Sequence, residues 1–255
     1  PIDPAHSPGL FKPLAYQWEM TSAAGEAEAA SEVTFDPGPT AWRQRGDLPL
    51  RFSLADEGLN VVAARQAIEP VYELMQAQTD LDPAFNWAIL PRGAAFCTER
   101  PNEEGELERV VLSLTQDAFS CSEETARQIL TANGYRVLER QQPGLLPFQN
   151  ELVDDMFGEF YAAFWGNSAV PGWFRAGLRQ MYHVTPNPLA LEQVRQAART
   201  GTVIDAAALD APAESHESDA LFDAQAYTLV MYLADRYGAE APFELGIRTA
   251  RQGFD

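Results

Sequence analysis

Histidine, cysteine and lysine are scarce in this chain: three, two and one in 255 residues. The histidines stand at 6, 183 and 216, so no two share a helix face at i and i+4, the usual spacing for a transition-metal pair. Cys97 and Cys121 form no CxxC and have no histidine nearby in sequence, which excludes a short-motif zinc site. Lys12 joins 17 arginines against 37 acids, for a net charge of −19. Such a chain has little from which to build a basic face, so nucleic acid is excluded as a partner, and attraction to anionic lipid is disfavoured. Apolar runs such as Tyr227–Ala234 fall well short of the roughly 20 residues that span a bilayer. No direct membrane insertion is therefore expected of this chain. With 46% apolar and 22% charged residues, the composition is that of a globular protein with a sizeable core. It is not that of collagen, a coiled coil or a disordered chain.

Cys97 and Cys121 either pair or remain buried thiols. In an oxidising compartment a disulfide is expected, contributing about 3 kcal/mol through loop closure. The chain opens at Pro1 with no methionine, basic n-region or apolar h-region. That reads as a processed chain, with the natural protein continuing in either direction.

Period-2 patterning marks the opening. Leu14–Met20 alternates, Glu32–Phe35 reads as the returning strand, and Leu48, Leu50, Phe52 and Leu54 share one face. Residues 1–55 are therefore expected to form a small β module. From Asn60 the spacing becomes helical, with a kink or break at Pro70. Phe85–Leu90, Glu108–Leu114 and Tyr135–Arg140 read as strands, Arg92–Gly105 as a loop, and Glu123–Ala132 as a helix. The rest is helical: Leu145–Trp165, Pro171–His183, Leu189–Arg199, Phe222–Tyr237 and Pro242–Arg251, with a loop over Thr200–Ser218. The fold class is α+β, with a domain over 56–255 that divides into an α/β part (56–143) and a helical part (144–255).

The segment Pro171-Gly172-Trp173-Phe174-Arg175-Ala176-Gly177-Leu178-Arg179-Gln180-Met181-Tyr182 carries the most specific signal. It resembles the phrase Pro-x-Trp-Phe/Leu-x-Glu-Gly-Leu-Ala-x-Tyr of gluzincin zinc metallopeptidases, in which the Glu is the third zinc ligand. Some twenty residues earlier those enzymes carry His-Glu-x-x-His, two histidines for the metal and a glutamate as general base on its water. The best register here is Asn150-Glu151-Leu152-Val153-Asp154, with 22 residues from Asp154 to Ala176. Asn150 and Asp154 then stand at the histidine positions, Glu151 keeps the general-base place, and Ala176 stands at the third ligand. A second register, Gly158–Ala162, also keeps a glutamate but shortens the spacing. The helix Ala226–Gly238 is similar to the family's later Tyr-Leu-x-x-x-Tyr-Gly helix, and the opening β module resembles that of some secreted bacterial members.

The resemblance implies a thermolysin-like domain with a degenerate zinc site: no metal, no cofactor and no peptidase chemistry. It further implies a catalytically inactive homologue outside the cytoplasm, binding a protein or peptide partner through its remnant cleft. A structural subunit of a larger surface assembly is the neighbouring reading. An active hydrolase with a rebuilt site is the third: Ser113, Ser120 and Ser168 lack a nucleophile-elbow context, and the cysteines would have to be free thiols of lowered pKa. Glu151 either lines the cleft or is solvated. Trp173 and Tyr227 are cleft candidates, with core packing as their alternative.

Overall fold

A computed structural model describes residues 13–22, 25–34, 43–54, 59–90, 97–101, 107–111, 128, 130–131, 134–139, 144–210 and 220–252. The fold is mixed α+β and forms two compact units interleaved in sequence, one from 1–59 with 84–141 and the other from 60–83 with 142–255.

The first unit holds the strands. β1 (Pro13–Ser22) and β2 (Gly25–Thr34) form an antiparallel ribbon in which Trp18 lies opposite Ala29. β2 extends well upstream of the returning strand read from Glu32–Phe35, because hairpin pairing carries its alanines and glutamates along. β3 (Arg43–Arg45), β4 (Leu50–Leu54), β5 (Phe85–Leu90) and β8 (Arg136–Glu139) form a four-stranded sheet in that order. β3 is antiparallel to β4, whereas β4, β5 and β8 run parallel. Phe85, Trp87, Ala88 and Ile89 are fully buried, so both faces of β5 carry buried apolar side chains, as suits a central parallel strand. Trp87 stacks between Phe52 and Phe85, with centroids 5.0 and 5.1 Å away. Leu50, Phe52 and Leu54 share the buried face as their alternation predicts, but Leu48 lies outside the strand and is exposed. β6 (Cys97–Pro101) pairs with β7 (Leu107–Val111), so part of the expected loop over 92–105 is a strand. Cys121 lies outside the described residues, and so does its pairing with Cys97. Of the helix expected over 123–132, Gln128, Leu130 and Thr131 are described, all helical.

The second unit is helical. α1 (Val61–Thr79) is capped by Asn60, whose side chain accepts from the Ala63 amide. It runs uninterrupted through Pro70, where the sequence predicts a kink or break. Pro70 and Gln66, whose carbonyl it deprives of a helical partner, are both exposed residues. Burial of Ile68, Tyr72 and Met75 along the opposite face outweighs the local cost of about 3 kcal/mol. α2 (Leu145–Trp165) packs on α1, with Tyr72 edge-on to Phe160 at 5.4 Å. α3 (Gly172–Met181), α4 (Ala190–Thr200), α5 (Ala206–Leu209), α6 (Ala220–Tyr237) and α7 (Ala241–Gln252) complete the unit. The four-residue α5, capped by Asp205, interrupts the loop expected over 200–218.

α6 is the hub for α3 and α4. Its approach to α3 is very close. A Cβ on Gly177 would lie 2.4 Å from the Ala226 carbonyl oxygen and 2.5 Å from Val230 Cγ2, so position 177 excludes any side chain. Gln225 of α6 fixes the segment before α5, receiving from the Ile204 amide at 2.8 Å and donating to its carbonyl at 3.1 Å. No helix among the described residues is long and apolar enough to cross a membrane.

Candidate functional site

α2 is apolar along most of its circumference and buries Phe148, Leu152, Met156 and Phe160. Leu146, Asn150 and Asp154 recur at i, i+4 and i+8, a spacing that puts them on one side of the helix. That side forms one wall of a cleft of about 660 Å³, with Pro147 and Glu151 beside it. α3 supplies the opposite wall through Arg179 and Gln180, continued by His183 just past the helix end. The segment Thr185–Pro188 closes one rim, and Ala220 and Asp223 from the start of α6 close the other.

The polar groups are connected. His183 Nε2 donates to Asp154 Oδ1 at 2.6 Å, which places the imidazole proton on Nε2. The Arg179 guanidinium lies between two carboxylates, with Nε 3.4 Å from Asp154 Oδ1 and Nη2 3.5 Å from Asp223 Oδ1. These ion pairs are about one-third exposed, so solvent screens them. Gln180, buried beneath them, donates to the Asp223 carbonyl at 2.9 Å and ties α3 to α6. Asn150 uses both ends of its amide on one residue: Nδ2 donates to the Thr185 carbonyl at 2.9 Å, and Oδ1 receives from the Thr185 amide at 3.3 Å. That clamp fixes the rim segment.

The structure thus brings Asn150, Glu151 and Asp154 into one cleft. Ala176 points elsewhere, into an apolar cluster with Leu209, Phe222 and Ala226, where it is 2% exposed. Trp173 is half-buried against that same cluster and edge-on to Phe174 at 5.6 Å. Tyr227 is half-buried on α6, and burial raises its hydroxyl pKa. Sequence reasoning misses Arg179, His183 and Asp223. One signal was available: Arg179 and His183 lie four apart in a segment that the sequence reads as helical throughout.

Two turns beyond Asp154 along α2, a second polar group is sealed in aromatic packing. The Tyr161 and Tyr182 hydroxyls meet at 2.5 Å, and Tyr182 donates to Gln78 Oε1. Burial pushes the Tyr161 hydroxyl up to about 12 and raises Tyr182 further, with the neighbouring Tyr161 adding to the latter. These groups hold α1, α2 and the end of α3 together, and both tyrosines are buried.

The zinc ion that the gluzincin resemblance implies does not fit the donors present. Asn150 is committed to the Thr185 backbone. Asp154 is committed to His183 and Arg179. Ala176 offers no donor and faces the core. A guanidinium beside Asp154 also puts fixed positive charge where a divalent cation would have to approach. Among the described residues, no three His, Cys, Asp or Glu side chains are grouped so as to hold a metal.

Comparison with family models, with curated proteins and with solved structures gives no significant match to this chain.

Proposed function

We propose that this chain is a catalytically inactive relative of the gluzincin metallopeptidases, working outside the cytoplasm as a module that binds a protein or peptide partner. The cleft carries the reading. Asn150, Glu151 and Asp154, placed by the best motif register, line one wall of it, and α3, which bears the Trp-Phe-x-x-Gly-Leu phrase, forms the other. The order of elements also fits a thermolysin-like plan: β4, α1, β5 and β8, then the paired helices α2 and α3. Position 176 carries no ligand and Asn150 is spent on the rim, so Glu151 has no metal-bound water to act on. The cleft itself survives. Thr185–Pro188 lines it beside α2 and α3, and Leu146, Pro147, Pro186 and Pro188 give it apolar surface beside its charges.

A peptide array of random dodecamers, probed with the intact chain, tests this together with hydrolysis of fluorescein-labelled casein at micromolar zinc. The account expects a reproducible subset of bound peptides, lost in Leu146→Arg at the cleft rim, and no casein hydrolysis. Zinc-dependent hydrolysis contradicts it, as does peptide binding that Leu146→Arg leaves intact.

The β1–β2 ribbon favours a second reading, a structural subunit of a larger assembly. Its strands are ten residues each, Trp18 and Met20 are both 64% exposed, and no third strand joins it among the described residues. A two-stranded ribbon is marginal alone. Light scattering on the isolated chain and on a chain lacking residues 1–42 distinguishes the readings: self-association confined to the longer chain supports the assembly role.

A further inference from the structure

Register divides the β1–β2 ribbon into two unlike faces. Residues directly opposite one another share a face, and successive residues along a strand alternate between faces. Gln17 and Glu19 of β1 therefore lie with Ala30 and Glu28 of β2 on one face. Trp18 and Met20 lie with Ala29 and Ala27 on the other, where Ser31 continues the β2 row. The first face is polar and acidic: Glu19 stands directly opposite Glu28, and Gln17 donates to Glu28 Oε2 at 3.3 Å. The second face is apolar and uneven, with a large row on β1 and a small row on β2. Both rows are exposed, and Trp18 and Met20 each to 64%.

We propose that the Trp18 face is closed by the same face of a second copy of this chain, about a two-fold axis parallel to the strands. This rests on the second reading above, that the ribbon serves an assembly, and names its partner. Such an axis carries β1 of one copy over β2 of the other at the same level along the strands. Trp18 then covers Ala29 of the second copy and Met20 covers Ala27 of the second copy, each contact made twice by symmetry. Facing sheets stand about 10 Å apart, a gap that one large side chain fills against one small one. An axis across the strands would instead set β1 over β1, large against large, and leave alanine facing alanine across a void. Charge excludes the other face. In a chain of net charge −19, contact through Glu19 and Glu28 is repulsive, whereas pairing through the apolar face turns both acidic faces outward, about a Debye length or more apart. Area sets the strength. Strands of ten residues, about 5 Å apart, make a face of about 30 by 10 Å. Two copies together bury roughly 800–1,000 Å², short of the about 1,200 Å² of stable complexes, so the pair dissociates on the order of 100 μM.

The test is sedimentation equilibrium of the intact chain from about 10 μM to about 500 μM, a range that brackets that constant. The wild type is expected to pass from monomer to dimer across it. Ala29→Trp sets indole over indole and is expected to weaken association about tenfold; Trp18→Ala sets alanine over alanine and is expected to do the same. Trp18→Ala combined with Ala29→Trp exchanges the two rows, restores large over small, and is expected to return association to within about threefold of wild type. Ala30→Trp makes the same change on the acidic face and is expected to leave association unaltered. If Ala30→Trp abolishes it, tryptophan on β2 disturbs the ribbon itself, and the double variant decides alone. A double variant no better than either single variant overturns the proposal, and so does an Ala29→Trp protein that associates like wild type. Wild-type self-association that no substitution alters overturns the face-to-face pairing and leaves the assembly reading standing. A monomer at every concentration overturns both the pairing and the self-assembling form of that reading.

Discussion

Gly177→Ala and Gly158→Ala should change stability in opposite directions, although both add one methyl group to an interior helical position. At Gly158, on the exposed side of α2, a new Cβ meets nothing within 4 Å. Alanine there gains helix propensity and loses nothing, stabilising by about 0.5–1 kcal/mol. At Gly177 the new Cβ would lie 2.4 Å from the Ala226 oxygen, 2.5 Å from Val230 Cγ2 and 2.8 Å from the Ala226 carbonyl carbon. Two of those three atoms are backbone and cannot rotate away. Ordinary carbon contacts begin near 3.5 Å, so α3 and α6 must part by about 1 Å. Overpacking of this kind costs about 1–3 kcal/mol, and the parted helices also lose contact around Ala176, Phe222 and Ala226. Against that stands a propensity gain of about 1 kcal/mol. The net expectation is a loss of about 2 kcal/mol, or roughly 4–8 °C in melting temperature for a chain of this size. The displacement also acts on the cleft, since Arg179 and Asp223 sit on the two helices that separate. Differential scanning calorimetry of the two variants beside wild type is the assay. A Gly177→Ala protein as stable as wild type, or shifts of the same sign, would refute the close approach of α3 to α6.

Three further outcomes rest on named groups. Tyr161, raised to about 12 by burial, keeps its proton in the folded state where the unfolded chain ionises near 10. Its contribution is thus complete below pH 10 and is lost as pH rises from about 10 to 12; melting temperature should fall across that window, less steeply in Tyr161→Phe. Asn150→Ala removes both bonds to Thr185, and hydrogen exchange at the Thr185 amide should accelerate by about tenfold while the α2 core is unchanged. Trp165 donates from a buried indole to the Gly246 carbonyl at 3.0 Å, so Trp165→Phe should cost about 1 kcal/mol in urea unfolding by removing that hydrogen bond.

Long amphipathic or uniformly apolar segments are legible in the sequence. Leu145–Trp165 is bounded to the residue, because six apolar side chains at helical spacing end at a Gly-Asn pair. β5 is read with its observed bounds, and β8 is read one residue too long at each end. What escapes is short or depends on a partner. β6 contains Pro101, Glu99 and Arg100, a poor strand composition that pairing with β7 overrides. α5 is one turn long and is announced by little besides its Asp205 cap. Leu48 fits the alternating pattern, yet the strand begins beyond it at Leu50, so periodicity continues past the end of the element.

The site divides in the same way. Asn150, Glu151 and Asp154 are found because a motif register places them, and the structure sets all three on the cleft wall. Arg179 and His183 escape because, against the motif, they stand at positions to which it assigns no role. Their significance appears only when α3 is laid beside α2, which brings His183 to Asp154 across 29 residues of chain. Asp223 comes from a third helix, and no local pattern links it to the other two. Ala176 could be read as a lost ligand, but its burial with Leu209 and Phe222 shows that the position also serves the core.

The central claim is that the cleft between α2 and α3 is complete without a metal. Zinc stoichiometry of the intact wild-type chain, measured by plasma mass spectrometry after equilibrium dialysis against micromolar zinc, tests it most directly. The account predicts zinc at the background of a non-binding control protein. One zinc per chain, released when Asp154→Asn is introduced, would contradict it, because Asp154 would then be a ligand and not the partner of Arg179.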